Sequence, residues 1–395
     1  MDLGPRVKRH HLRKLIASAM LACCVSLLHA QSKRAVSAQI IGYVFSRDRI
    51  LQPNEIAAQK LTRVQYAFLY TKDGRVAEAS LVDAANLAVM VALKRINPAL
   101  EVVVSIGGGS HSDGFSDITL TPQSRALFVE SCVKVVEQYH LDGVDIDWEY
   151  PAMPRPGGHF RAEDKQNYTL LLRDLRTAFD LAERRLGRHL VTSTATDGKP
   201  FFLRNTEMAE VARYVDTITL MGYDQYGRSD TNTGNHAALF TDPADPKHFS
   251  DEQAVEAYIA AGVPAEKIVL GVPFYGVGWN NVPSENHGLF QPVVTGKTFD
   301  VLYTYIAKKD LADGSGFIRY WDNASQVPYL YNAETQTFIS YEDPESLRCK
   351  ADFVRARHLG GIMFWAYNGD PENVLLDAID AGLKFTPRAA KRTLR

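Results

Sequence analysis

Leu141-Asp142-Gly143-Val144-Asp145-Ile146-Asp147-Trp148-Glu149-Tyr150-Pro151 decides how the rest of the chain is read. Asp145, Asp147 and Glu149 share one parity, and Val144, Ile146 and Trp148 share the other, which is the alternation of a β-strand. Side chains two apart on a strand lie about 6–7 Å apart on one face. The spacing therefore predicts three carboxyl groups in a row opposite an apolar face. Like charges held that close and away from bulk water cannot all stay ionised, so at least one is expected to keep a proton near neutral pH. A protonated carboxyl beside an ionised one can protonate a leaving group and stabilise the cation left behind. Clustered acids also bind hard cations, but such loops use glycine turns and Asn or Asp at loop spacing, not a strand with bulky alternating partners.

Asp142-x-x-Asp145-x-Asp147-x-Glu149 resembles the DxxDxDxE signature of the family 18 glycoside hydrolases, the chitinase family. The resemblance implies a retaining, substrate-assisted hydrolase of β-1,4-linked N-acetylglucosamine. Glu149 would be the acid and then the base, and Asp147 would orient the acetamido N–H. Asp145 would share charge and a proton with Asp147. Asp142, off the catalytic parity, would anchor the strand.

Three further motifs extend the resemblance. Ser105-Ile106-Gly107-Gly108 matches the family's SxGG, with Ser105 expected to support the inner aspartates. Met221-Gly222-Tyr223-Asp224 matches M-x-Y-D, so Tyr223 would donate to the acetamido group and Asp224 would act near the cleavage point. Trp365, in Gly360-Gly361-Ile362-Met363-Phe364-Trp365, would floor the sugar subsite, since an indole face suits the apolar C–H face of a sugar ring. Tyr43, Phe45, Tyr150, Gly108, Met221 and Trp279 complete the candidate substrate contacts, and Trp321 is a further candidate platform. Two departures stand out. Val277 follows Tyr275-Gly276 where many members have Arg, and Gln225-Tyr226-Gly227-Arg228-Ser229 lacks the Trp often found after the Asp.

Around these motifs, apolar runs alternate with helical patterns. Strands are expected at 40–45, 64–70, 101–106, the acidic stretch, 190–196, 214–223, 268–275 and 361–367. Helices are expected at 79–97, 122–140, 163–187, 251–261 and 344–358, with one more after Pro371. Eight strands alternating with helices predict a parallel (β/α)8 TIM barrel. The rhythm breaks between the seventh and eighth strands, where residues 277–341, rich in aromatics and short strand-like pieces, are expected to form an insertion, and the family resemblance implies that it is a small α+β one. Such an insertion would rise from the C-terminal rim, where barrel enzymes place their sites.

The chain has 395 residues, is 46% hydrophobic and 23% charged, and has a formal charge of −2. That balance is ordinary for a globular chain and points to neither nucleic acid nor disorder. Residues 1–30 read as a signal peptide: basic side chains at Arg6, Lys8, Arg9, Arg13 and Lys14, an apolar run from Leu15 to Leu28, and Ala30 for cleavage. The expected product is a secreted monomer with no membrane insertion after cleavage, with residues 31–395 as its barrel. Cys23 and Cys24 fall in the signal, and Cys132 and Cys349 are expected buried and unpaired. The scattered histidines suggest no metal, and no cofactor is expected. Alternative readings are an endo-β-N-acetylglucosaminidase or peptidoglycan hydrolase of the same family, and a chitin-binding lectin with a weak site.

Overall fold

The computed structural model describes residues 38–46, 48–109, 111–154 and 159–385. The expected signal peptide lies outside them. Eight parallel strands close into a barrel: β1 (Gln39–Phe45), β2 (Arg63–Lys72), β4 (Glu101–Gly107), β5 (Gly143–Asp147), β6 (Val191–Asp197), β7 (Thr217–Met221), β8 (Ile268–Pro273) and β14 (Gly361–Trp365). Their spatial order is β1-β14-β8-β7-β6-β5-β4-β2, and β1 pairs with β2 to close the ring. β3 (Arg75–Ala77) forms a hairpin with β2 that the alternation did not announce.

The strand period sorts the side chains into two cores. Val64, Tyr66, Val102, Val104, Ile106, Val144, Ile146 and Trp148 face outward, into one large cluster shared with the surrounding helices. Among these helices, Pro122–Gln138 starts with Thr121 accepting from the Ser124 N–H and a proline in the first turn. Helix Pro344–Ala356 repeats the device with Asp343 and Ser346. Inward positions mix buried polar side chains with a small apolar group. Arg63, Gln65, Ser105, Asp145, Ser193, Thr217 and Thr219 are buried, and Ile41, Tyr43, Ala67, Tyr223, Val269 and Met363 form a small second cluster. A barrel interior filled by side chains is a packed core, so this polarity sits where hydrophobic layers would normally be.

Between β8 and the helix at 344, residues 275–340 form an antiparallel sheet in the order β10-β9-β13-β12-β11: β9 (Tyr275–Trp279), β10 (Thr298–Leu302), β11 (Ile318–Asp322), β12 (Val327–Asn332) and β13 (Thr337–Ser340). The strand expected over 268–275 thus stops at Pro273, and Tyr275 already belongs to the other sheet. Tyr226, Val277, Trp279, Tyr329 and Phe338 help to build that sheet's own apolar cluster. Cys132 and Cys349 are both free, but only Cys132 is buried; Cys349, on helix Pro344–Ala356, is half-buried with its Sγ near Gln326. Among the described residues no helix is long and apolar enough to cross a membrane.

Candidate active site

β5 brings the acids to the barrel's C-terminal mouth. Gly143 begins the strand because nothing larger fits: an added Cβ would lie 2.0 Å from the Val191 carbonyl oxygen. Asp145 and Asp147 then point inward. The strand ends at Asp147, so Glu149 stands on the turn beyond it and not on the strand itself. Non-proline cis peptide bonds join Glu149–Tyr150, Ala67–Phe68 and Trp365–Ala366. Ser112 fixes the turn. Its Oγ accepts the Glu149 N–H at 2.9 Å and lies 2.9 Å from both the Asp147 and Gly108 carbonyl oxygens.

The three acids sit in graded environments. Asp145 is fully buried and accepts from three hydroxyls, Tyr43 at 2.8 Å, Ser105 at 2.7 Å and Ser193 at 2.7 Å. Burial raises its pKa, and the three hydroxyls with Arg63 work against that rise. Asp147 has no such support. Burial, then the charges of Glu149 and Asp145, hold its carboxyl well above the usual range, and it hydrogen-bonds to Glu149. Asp147 Oδ1 is buried with no hydrogen-bonding partner among the described residues. Glu149 is also raised, first by burial and then by Asp197 and Asp224, while hydrogen bonds to Tyr150 and Asp147 oppose the rise. Both shifts favour a proton shared between Asp147 and Glu149, and Asp145 is the acid of the three best supplied with hydrogen-bond donors.

Tyr223 and Asp224 follow β7. Burial and the neighbouring acids push the Tyr223 hydroxyl far up, so it stays a proton donor. Asp224 is exposed at the cleft; partial desolvation by its neighbours disfavours its charge, but His236, Tyr275 and Lys199 outweigh that, and its pKa is lowered. Tyr275 donates to Asp224 at 2.6 Å, and His236 Nδ1 lies 3.9 Å away, too long for a hydrogen bond but close enough to favour the charge. Trp365 ends β14, packed nearly parallel to Phe68 at 5.5 Å and edge-on to Tyr43 at 5.6 Å.

These groups converge on one cleft of about 200 Å³, lined by Asp147, Glu149, Tyr150, Met221, Tyr223, Asp224, Tyr275, Trp365, Tyr43 and Phe68 among others. It opens into a groove of about 740 Å³ that shares Trp365, Asp224, Tyr275 and Lys199 and is walled by Val277, Thr298, Asp300 and Leu302. Phe45 faces this groove and not the small cleft. Asp142 lies at the other end of β5. It accepts the Val102 N–H at 2.7 Å and pairs with Lys94 and Arg188, a purely local anchor.

Two expected contacts are corrected. Trp279 is 1% exposed and packs at 5.8 Å from Phe338 inside the antiparallel sheet's cluster, so it cannot present a face to a ligand. Gly108 is covered by the Phe68 ring, and its N–H is used on the Asp147 carbonyl at 2.8 Å; Gly109 reaches the cleft instead. Trp321 lines neither cavity and lies beside Arg319. Residues not anticipated are Phe68, Ser112, Ser193, Asp197, Lys199, His236 and Tyr275. The Thr192-Ser193-Thr194 run inside a buried strand was the available signal for Ser193.

Residues 39–370 match the model for glycosyl hydrolases family 18. "Chitinase A1" of Niallia circulans is 37% identical over 319 residues, covering 76% of this chain but 45% of that protein. The chain thus spans less than half the length of that relative. "Chitinase B" of Serratia marcescens is 29% identical over 390 residues, covering 82% of this chain and 76% of its own. A family 18 N-acetylglucosaminidase structure from Paenibacillus barengoltzii superposes with a TM-score of 0.81 at 40% identity, covering 87% of this chain and 99% of that one.

Proposed function

The chain belongs to glycosyl hydrolases family 18, and from that premise we propose that it is a chitinase cleaving β-1,4-linked N-acetylglucosamine chains with retention. The observation that carries the reading is the hydrogen-bonded Asp147–Glu149 pair, both acids shifted toward holding a proton, beside Trp365 in a cleft that opens into a groove. Glu149 gives its proton to the glycosidic oxygen as the bond to the anomeric carbon breaks. The substrate's acetamido oxygen attacks that carbon and forms an oxazolinium ion. This is the route by which family 18 differs from retaining enzymes with a carboxylate nucleophile.

Asp147 offers its open Oδ1 to the acetamido N–H and its charge to the cation. Tyr223 donates its hydroxyl to the acetamido group, and Asp224 bonds beside it. Asp145, held by its three hydroxyls, is the fixed acid beneath Asp147, and its charge favours a proton on the Asp147–Glu149 pair. Water then adds at the anomeric carbon as its bond to the acetamido oxygen breaks and the acetamide is restored, Glu149 takes the water's proton, and the product leaves as the β-anomer.

We read residues 277–341 as the insertion that walls the groove, and residues 1–30 as an export signal, supported by the basic start and apolar run. A second reading, release of single N-acetylglucosamine units from chain ends, is supported by the likeness to the Paenibacillus enzyme. An NMR product time course on chitotetraose and chitohexaose tests both readings. The chitinase reading expects early β-anomer with dimers and longer products. Monomer alone favours the second reading, and no cleavage overturns both.

Trp365→Ala is expected to raise KM about 10-fold, the loss of about 1.4 kcal/mol of stacking on a sugar face, with a smaller change in kcat. Initial rates on chitotetraose check this; an unchanged KM would remove Trp365 from the substrate floor.

A further inference from the structure

Lys350 is fully buried on helix Pro344–Ala356. A buried ammonium is costly unless paired and hydrogen-bonded, and its pairing is specific. Lys350 Nζ lies 2.8 Å from Asp251 Oδ2 and 2.5 Å from Glu342 Oε1, both fully buried, and donates to the Ala237 carbonyl at 2.8 Å. One cation thus joins the start of helix Asp251–Ala260, the exit from the antiparallel sheet and the 236–238 segment.

From Asp251 the contacts lead to the candidate active site. Gln225 donates from Nε2 to Asp251 Oδ1 at 2.8 Å and accepts the Ala238 N–H at 2.9 Å, and its own N–H donates to the His236 carbonyl at 3.0 Å. Gly222 lies against the same carboxylate: an added Cβ would stand 2.7 Å from Asp251 Oδ1. Tyr223 and Asp224 therefore sit between Gly222, which packs closely against Asp251, and Gln225, which hydrogen-bonds to it. Asp224 has a φ of 54°, the left-handed conformation that costs a non-glycine residue and persists only where its surroundings enforce it.

We propose that Lys350 is a positioning residue, fixing Tyr223 and Asp224 through Asp251 and Gln225 although it touches neither substrate nor reacting atoms. The consequence for catalysis rests on the hydrolase reading above; the consequence for the segment's order does not. Burial raises Asp251 to about 7 despite Lys350, so without the ammonium this carboxylate would hold its proton and bond Gln225 less strongly.

Lys350→Met removes the charge and keeps the stem. Because removing one partner from a buried ionic cluster can prevent folding, Gln225→Leu is the second variant, leaving the triad whole and removing the side-chain bonds to Asp251 and Ala238. Both are expected to lower kcat on chitotetraose about 10- to 100-fold, the effect of misplaced positioning groups, with KM within about threefold. Amide hydrogen exchange is expected to quicken over residues 222–238 and not across helix Asp251–Ala260. A loss of melting temperature with parental kcat, KM and exchange in the folded variants would overturn the proposal. A parent that cleaves neither oligomer would overturn the hydrolase reading instead, and the exchange data would then decide the positioning role alone.

Discussion

Replacing Glu149 by Gln is expected to lower kcat on chitotetraose by about 10³–10⁴-fold, the upper part of the range for a lost general acid–base. Gln keeps the size of the side chain and a hydrogen bond to Asp147, so folding and KM should change little. It cannot give a proton to the glycosidic oxygen or take one from water. An aryl glycoside with an acidic phenol separates these two roles. That leaving group departs without protonation, so the first step should be largely spared and the loss smaller than on chitotetraose. Rates on the two substrates, with circular dichroism to confirm folding, check the expectation. Near-parental turnover of chitotetraose would remove Glu149 from its role.

The legible part of this molecule is the part in which sequence neighbours are also spatial neighbours. Two-residue alternation put Asp145 and Asp147 on one face and Val144 and Ile146 on the other, and β5 keeps that division. Eight alternating apolar runs give the closed parallel barrel. Trp279 was the opposite case. Tryptophan serves equally well as a sugar platform or as core, and only the pairing of β9 with β10 and β13 buries it. The strand expected through Tyr275 ran on because apolar periodicity does not mark where a chain changes sheets. Phe68 and Tyr275 were missed for a related reason. Each lies in a run of ordinary strand residues; closure of the barrel carries Phe68 against Trp365, and the change of sheet after β8 sets Tyr275 on Asp224.

The polar interior explains why the acids can be so unequal. Asp145 has hydroxyls from three different strands, β1, β4 and β6, converging on it. A carboxylate that accepts several hydrogen bonds can stay charged in a buried site. Asp147, one step higher, meets that charge from below and Glu149 from above. The gradient from supported anion to shared proton to cleft-facing acid is thus set by how many donors each level of the barrel supplies.

Asp147→Asn is the sharper probe of that gradient. The asparagine keeps the shape but can carry neither the negative charge that would stabilise the proposed oxazolinium nor a proton shared with Glu149. Loss of one such electrostatic contact in a dry site is expected to cost about 10²–10³-fold in kcat. The pH profile should also move. In the parent, the last proton leaves the Asp147–Glu149 pair against a like charge, which holds the alkaline limb up. Without the charge at this position that limb should shift to lower pH. Stability should move the other way. The folded-state pKa of Asp147 lies above its unfolded value of about 3.9, so between the two the folded chain binds a proton that the unfolded chain has released. Stability therefore falls as pH rises through that window. The substituted amide does not titrate, and the variant should melt at or above the parental temperature at neutral pH while being far less active. A variant with reduced melting temperature and an unshifted alkaline limb would show that Asp147 is structural and that Glu149 holds its proton without it.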